Sequence, residues 1–193
     1  MSKGIATFEL LGEHALKGGN DDSDSDLHSR GREKLALEAA ELKTAMRHVA
    51  GSVSIITAGH GVHRTGATVT SATALSMEPP TMIVNINRSS STWPVIARFN
   101  HFCVNILSGE QEDVASRFAG VGGLKGAERY EGADWFDLES GASGLHGALA
   151  VIDCAVEDVV ERHTHAIVIG RVLSVTRGDG RPLLYHAGQY LQI

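Results

Sequence analysis

The apolar residues of this chain fall mostly into short β-like runs separated by turns. The runs are rich in Val, Ile and Thr, which favour strands, and Gly, Pro, Asn and Asp residues lie between them. They occupy residues 52–58, 65–76, 81–87, 101–107, 135–139, 147–161, 166–176 and 182–186. Because strands outnumber helices and short turns join many of them, the pattern favours a closed or half-closed antiparallel barrel over a doubly wound sheet.

Helical patterns are fewer. Residues 32–50 contain Leu35, Leu42 and Val49 at seven-residue spacing, which is typical of one face of a helix. A second, short helix is predicted at residues 95–99. Ser108 to Gln111 has the spacing of a capping box, for a helix that ends near residue 119. The pattern therefore predicts a mainly β domain with a few helices.

The first residues of the chain differ from the rest. Residues 18–26 are rich in Gly, Ser and Asp and cannot bury a core. We therefore predict a flexible acidic N-terminal arm over residues 1–31 and one folded domain over residues 32–193. Within the arm, residues 5–17 are compatible with a short docking helix.

The composition narrows the classes of function. The chain has 193 residues and a net charge of -6, which argues against nucleic acid as a partner because its phosphates require a basic surface. No apolar run approaches the roughly 18 residues of a membrane span. The N-terminus shows no secretory signal, so we expect a cytoplasmic protein without a membrane partner. Cys103 and Cys154 lie in apolar runs, which predicts buried, reduced thiols.

The first candidate site is a run of hydroxyl side chains between a predicted strand and a predicted helix. It contains one guanidinium and four hydroxyls, those of Arg88, Ser89, Ser90, Ser91 and Thr92. Together with the free N–H groups of a helix N-terminus, these side chains could bind a phosphate. The alternative is an ordinary helix cap, which needs one Ser or Thr and a Pro near the first turn. Because four consecutive hydroxyl residues exceed that need, the pattern favours an anion site.

Two further clusters complete the candidate residues. Residues 68–73 place small side chains, most of them hydroxyls, where a half-buried strand would alternate large apolar residues with polar ones. A flat ligand could pack there, although a Thr-rich edge strand is an equally good interpretation. His165 lies at the start of a β-branched run, as a satisfied edge residue or as a donor to a ligand.

Other motifs are incomplete. The loop at residues 120–126 lacks the third glycine of a dinucleotide fingerprint and follows a helix rather than a strand. The sequence has no Walker-type loop and no Gly-x-Ser-x-Gly elbow. The pairs His60/His63 and His163/His165 have no acidic or Cys partner at a familiar ligand spacing, so no metal site is expected.

Taken in order, these segments resemble the short flavin reductases of the FMN-binding split-barrel class, which are the reductase components of two-component flavin monooxygenases. The resemblance covers roughly residues 40–193 and rests on residues 45–57, 66–72, 78–92, 102–107, 116–120, 165–172 and 182–190. The chain departs from the family at His163 and Thr164, where the family often has Gly-Asp or Gly followed by Ser or Thr.

The resemblance implies an antiparallel split β-barrel and an NAD(P)H:flavin oxidoreductase, with NADH as the favoured donor and FMN or FAD as the acceptor. It places the flavin ring along Thr68, Val69, Thr70, Ser71 and Ala72, and the phosphate against Asn87, Arg88, Ser89, Ser90, Ser91 and Thr92, with Phe118 as a further flavin contact. It implies His165 as the catalytic residue, which would orient the nicotinamide or balance charge. The implied partners are a second copy of the chain, as a homodimer, and a separate monooxygenase that receives reduced flavin.

Three alternatives stay open beside this interpretation. A module of the same fold could bind FMN and pass electrons without NAD(P)H. A flavoprotein oxidase related to the pyridoxamine-phosphate oxidases would bind FMN tightly and oxidise an amine. The fold could also bind a ligand other than a flavin.

Overall fold

A computed structural model describes residues 22–192 of the chain, with side chains from residue 32 onward. The α-helices are α1 (Asp22–Met46), α2 (Trp93–Phe99) and α3 (Glu112–Phe118). Short 3-10 helices occupy Gly61–His63, Gly109–Gln111, Val121–Gly123 and Gly126–Tyr130. The strands are β1 (Gly51–Ser52), β2 (Ser54–Ala58), β3 (Thr65–Val69), β4 (Thr73–Met77), β5 (Pro80–Asn87), β6 (His101–Ile106), β7 (Trp135–Asp137), β8 (Ser143–Leu145), β9 (Ala150–Arg162), β10 (His165–Arg177), β11 (Leu183–His186) and β12 (Gln189–Gln192).

Helix α1 begins at Asp22, whereas the sequence pattern predicts a helix from residue 32. The predicted boundary between arm and domain therefore falls inside this helix. Acidic residues stabilise a helix N-terminus through its dipole, so the acidic run at residues 22–26 suits the first turns of a helix as well as a linker. The docking helix predicted at residues 5–17 lies outside the described residues. From Ala45 onward the chain forms one compact unit.

The compact unit is built on a seven-stranded antiparallel sheet with the order β3-β2-β6-β9-β10-β5-β4. Its longest hairpin pairs β9 with β10, and β10 pairs in turn with β5, so that His165 lies opposite Asn87. A three-stranded sheet, β1-β11-β12, and a two-stranded sheet, β7-β8, complete the unit.

Strands β3 and β4 lie at opposite edges of the large sheet, although only residues 70–72 separate them. Four extended steps span at most about 14 Å, so the sheet must curl until its two edges approach each other. The result is an incompletely closed barrel with a seam between β3 and β4. This architecture confirms the predicted antiparallel split barrel. The single strand predicted at residues 65–76 is wrong, because one strand cannot lie at both edges of the same sheet.

Two apolar clusters fill the compact unit, one on each face of the central strands. Ile55 belongs to one cluster and Ile56 to the other, because successive side chains of a strand point to opposite faces. All five residues of β2 are buried, so both faces of this strand are covered. Cys103 and Cys154 are free, buried thiols as predicted. Burial raises the pKa of the Cys103 thiol well above its usual value, so it stays protonated.

Candidate functional site

A cavity of about 300 Å³ opens at the seam of the barrel, and we call it the seam cavity. Its walls come from residues 67–71 at the end of β3, residues 85–87 at the end of β5, Ser90 in the turn that follows, and His165 at the start of β10. Three segments far apart in the sequence therefore meet in one place. The sheet order explains this convergence, because β5 lies between β4 and β10.

Ser71 connects the segment between β3 and β4 to strand β5. Its Oγ donates to the carbonyl oxygen of Asn85 at 3.3 Å and accepts the N–H of the same residue at 3.4 Å. Residues 70–72 themselves belong to no strand and lie outside the ladders of the sheet. The side chain of Ser71 therefore holds this segment in place, and the backbone of residues 70–72 does not pair with a strand.

The turn at residues 87–90 is stabilised from within. Asn87 Oδ1 accepts the backbone N–H of Ser89 at 2.9 Å and the Ser89 hydroxyl at 2.8 Å, which is the geometry of an Asx turn. The N–H of Ser90 donates to the carbonyl oxygen of Asn87 at 3.0 Å. Asn87 and Ser89 therefore build the turn, and Ser90 is the hydroxyl residue of the turn that lines the cavity.

The Ser90 hydroxyl is buried and has no hydrogen-bond partner among the residues that the structure describes. A buried polar group without a partner costs about 1–3 kcal/mol, so such groups are rare unless a ligand uses them. The hydroxyl therefore fits a ligand oxygen in the seam cavity, and a phosphate oxygen is a strong acceptor of this kind.

The remaining hydroxyls of the run lie beside the cavity rather than in its wall. Ser91 Oγ is 3.4 Å from the hydroxyl of Thr65. Thr92 occupies the N-cap position of α2, but its side chain makes no capping hydrogen bond. Its hydroxyl is buried and, within the described part of the chain, has no partner. An ordinary side-chain cap at Thr92 is thus absent from the structure.

Arg88 is bound to the β9–β10 hairpin. Its guanidinium forms an ion pair with the carboxylate of Glu161 and donates to the carbonyl oxygen of His163 at 3.2 Å. Its backbone N–H donates to the carbonyl oxygen of Thr164 at 2.9 Å. Arg88 therefore joins the hydroxyl turn to the hairpin that contains His165.

His165 lies next to the turn because it pairs with Asn87 across the sheet. Its Nδ1 is 2.9 Å from the hydroxyl of Thr164, and this contact restrains the ring. His163 adopts a left-handed backbone with φ of 50°, which favours glycine. The Gly that the resemblance implies at this position would adopt the same conformation without strain.

The structure brings together seven of the predicted site residues, namely Thr68, Val69, Thr70, Ser71, Asn87, Ser90 and His165. Ala72, Arg88, Ser89, Ser91 and Thr92 adjoin these residues in the chain without lining the cavity. Phe118 is buried in the core, with its ring centroid 5.1 Å from that of Tyr130 and 5.5 Å from that of Trp135. Direct contacts of all thirteen predicted residues with a flavin or a nicotinamide stay predictions, and the lining of the cavity supports seven of them.

Sequence reasoning did not select three of the lining residues, Ala67, Asn85 and Ile86. Asn85 could have been found from strand alternation, since Asn85 and Asn87 are two polar residues on one face of β5. Among the side chains that the structure describes, those of residues 32–192, there is no group of three or more His, Cys, Asp or Glu that could hold a metal ion. Over the same residues, none of the helices combines the length and the apolar character that a membrane span requires.

The sequence profile of the flavin reductase like domain matches residues 46–193. The chain belongs to the flavin reductase family. This match confirms the resemblance stated above and covers the barrel together with all three segments of the seam cavity.

Individual relatives agree with this family. Over 158 residues the chain is 35% identical to the FMN reductase (NADH) RutF 2 of Methylorubrum extorquens, covering 82% of this chain and 91% of the relative. It is 34% identical to HsaB, the reductase subunit of a flavin-dependent monooxygenase of Rhodococcus jostii, over 82% of this chain and 80% of HsaB.

A solved flavin reductase also has the same fold. The NADH:FAD oxidoreductase SgcE6 of Streptomyces globisporus C-1027, in complex with NAD and FAD fragments, superposes with a TM-score of 0.73 at 25% identity. The superposition covers 80% of this chain and 92% of SgcE6.

Proposed function

We propose that this flavin reductase transfers a hydride from NADH to FMN or FAD and supplies the reduced flavin to a separate monooxygenase. The observation that supports this function best is the composition of the seam cavity. It combines a buried hydroxyl in a tight turn, a small-residue segment on which a flat ring can lie, and a histidine.

The residues present fit a flavin phosphate at one end of the cavity. Ser90 has a buried hydroxyl available for a phosphate oxygen, and Asn87 and Ser89 hold the turn in shape. We assign the flavin ring to residues 68–71, whose small side chains leave room for it. Ser71 keeps this segment against β5 through its two bonds to Asn85.

When bound, the flavin supplies the redox chemistry, since its N5 accepts the hydride that leaves C4 of the nicotinamide. The protein then has to position the two reacting rings and to exclude water. It does not have to supply a strong acid or base. We assign His165 to the nicotinamide or to the charge of the reduced ring. Its Nδ1 is engaged by Thr164, so Nε2 is the nitrogen left for that contact.

In this proposal Arg88 acts by holding other parts of the site in place. Its ion pair with Glu161 and its bond to His163 hold the hairpin of His165 beside the phosphate turn. We therefore regard Arg88 first as a positioning residue.

The partners belong to the proposal as well. A separate monooxygenase is supported by HsaB, which is the reductase subunit of such an enzyme. The homodimer is an expectation from the family resemblance, and light scattering of the purified protein measures it. The cytoplasmic location stays a prediction.

Flavin-dependent oxidation of NADH tests the function directly. Catalytic amounts of protein should oxidise NADH, followed by its absorbance, when FMN, FAD or riboflavin is added in excess. NADPH serves as the comparison donor. If no flavin stimulates turnover with either donor, the reductase function is wrong, whereas amine oxidation by protein with tightly bound FMN would favour the oxidase alternative.

Replacement of His165 by Ala tests its assigned role. We expect a slower hydride transfer or a higher KM for NADH, with the KM for FMN nearly unchanged. A His165→Gln variant retains a hydrogen-bond donor and should recover part of the loss if donation matters. An unchanged rate and an unchanged NADH affinity in His165→Ala would remove this residue from the site.

A further inference from the structure

The charges beside the turn at residues 87–90 bear on how readily a flavin can leave the seam cavity. In the proposed reaction the reduced flavin serves a separate monooxygenase, so it has to leave the reductase after each turnover. A phosphate bound by a free guanidinium would oppose this release, because Arg–phosphate hydrogen bonds are charge-assisted and often bidentate. The position of each cation near this turn therefore matters for the reaction.

The walls of the seam cavity supply hydrogen-bond donors but little charge. Among the residues that the structure describes, His165 is the one ionisable residue in these walls. At the phosphate end the donor is the neutral hydroxyl of Ser90. A phosphate monoester carries a charge of about −1.5 to −2 at neutral pH. A cation just outside the walls would attract it, and Arg88 lies in the same turn as Ser90.

The guanidinium of Arg88 is already engaged elsewhere. Its Nη2 forms an ion pair with Oε2 of Glu161, and its Nη1 donates to the carbonyl oxygen of His163 at 3.2 Å. Arg162, which follows Glu161, donates to the backbone oxygen of Glu161 rather than to its carboxylate. The carboxylate of Glu161 is therefore paired with Arg88. Because the two charges of the pair are opposite and adjacent, a phosphate in the cavity experiences little net attraction from them.

We propose that Glu161 controls the exchange of the flavin. Its carboxylate neutralises Arg88, so the phosphate is bound mainly by neutral donors, and FMN or FAD enters and leaves as a substrate. This inference rests on the proposed function and adds to it the residue that sets how long the flavin stays bound. The side chains of Arg88 and Glu161 are 42% and 48% exposed, so salt should screen their effect on the phosphate.

Glu161→Gln tests this role, because the amide keeps the size of the side chain and an oxygen that can accept a hydrogen bond from Arg88. With its charge no longer balanced, Arg88 should attract the phosphate and lower the Kd for FMN about tenfold at low ionic strength. The Kd for riboflavin, which lacks the phosphate, should stay unchanged. FMN should also dissociate about tenfold more slowly, since affinity differences between related complexes lie mostly in the dissociation rate.

Quenching of flavin fluorescence gives the Kd values, and stopped-flow displacement gives the dissociation rate. Added salt should remove most of the tighter binding of FMN to Glu161→Gln, whereas tighter binding caused by altered packing would persist. Addition of Arg88→Met to Glu161→Gln should return the Kd for FMN to at least its original value, because the cation is then absent.

Glu157→Gln is the matched control. Glu157 lies on the same strand, β9, with a side chain that is 42% exposed, and its Oε1 is 3.6 Å from Nε of Arg171. The substitution removes the same charge from the chain, but four residues further from the hairpin tip, which is about 13 Å along a strand. The Kd for FMN of Glu157→Gln should therefore equal that of the unmodified protein.

Gel filtration of protein mixed with FMN gives a direct view of exchange. The unmodified protein should lose the flavin, and Glu161→Gln should retain more of it. Retention by the unmodified protein, an unchanged Kd for FMN in Glu161→Gln, or equally tighter binding of riboflavin would overturn the role of Glu161. Equally tighter binding of FMN to Glu157→Gln would overturn it as well. These measurements need no NADH, so a lack of flavin-stimulated NADH oxidation would overturn only the proposed function.

Discussion

The Ser90 hydroxyl allows a prediction in which stability and ligand affinity change in opposite directions. In the structure this oxygen is buried and lacks a partner among the described residues, so it destabilises the ligand-free protein. A bound flavin phosphate would turn the same hydroxyl into a hydrogen-bond donor to a charged acceptor. Ser90→Ala should therefore weaken FMN binding without destabilising the ligand-free fold.

The magnitudes follow from the two environments of the hydroxyl. A hydrogen bond to a charged group contributes about 1.5–3 kcal/mol. Since about 1.4 kcal/mol is a factor of ten, the Kd for FMN should rise by about 10- to 100-fold. Removing the unsatisfied hydroxyl should raise the unfolding free energy of the ligand-free protein by about 1 kcal/mol.

Two assays measure these effects on the same samples. Quenching of flavin fluorescence gives the Kd for FMN and for riboflavin, which lacks the phosphate. Urea unfolding without flavin gives the free energy. Thr81→Val is the matched control. Thr81 also has a buried hydroxyl without a partner in the described residues, but it is the second residue of β5, at the end of the strand away from the turn. Thr81→Val should raise the unfolding free energy as much as Ser90→Ala does and leave the Kd for FMN unchanged.

Equal losses of affinity for FMN and riboflavin in Ser90→Ala would show that the residue does not contact the phosphate. A clear loss of stability in the ligand-free variant would show that the hydroxyl has a structural partner. Either result refutes the reasoning from the unpaired hydroxyl.

Three further predictions concern the fold. His163 has φ of 50°, so the unfolding free energy of His163→Gly should be about 1 kcal/mol higher than that of His163→Ala. Thermal or urea unfolding measures this difference, and equal stability of the two variants would exclude backbone strain at this position. A Cβ on Gly66 would lie 2.5 Å from the backbone oxygen of Ile56, so Gly66→Ala should lower the unfolding free energy by about 1–3 kcal/mol. Burial lowers the pKa of His101, with the charge of Asp153 acting in the opposite sense, so the unfolded ring binds a proton more readily than the folded one. The protein should therefore lose stability as pH falls below about 6.5, and the His101→Gln variant should lose less stability over the same range. Urea titrations at several pH values measure this. Identical pH dependence of the two proteins would show that His101 is not the cause.

Local pattern was sufficient to predict most of the elements. The β-branched runs correspond to strands such as β5, β6 and β10, because a period of two and a branched side chain suit a pleated surface wherever it lies. The capping-box spacing at Ser108 is also confirmed, since its N–H donates to Gln111 Oε1 at 3.1 Å. Strands β8 and β12 were not predicted.

The amino-acid sequence by itself determined which segments supply the candidate site, since the hydroxyl run, the Thr-rich segment and His165 are recognisable one at a time. Only the tertiary structure decided how their side chains are used. In the structure Ser71 forms a hydrogen bond with Asn85, Arg88 forms an ion pair with Glu161, and Phe118 is buried in the core. The physical reason is that these partners depend on strand order and register. A shift of one residue exchanges the two faces of a strand, and no local pattern states which strand will be the neighbour.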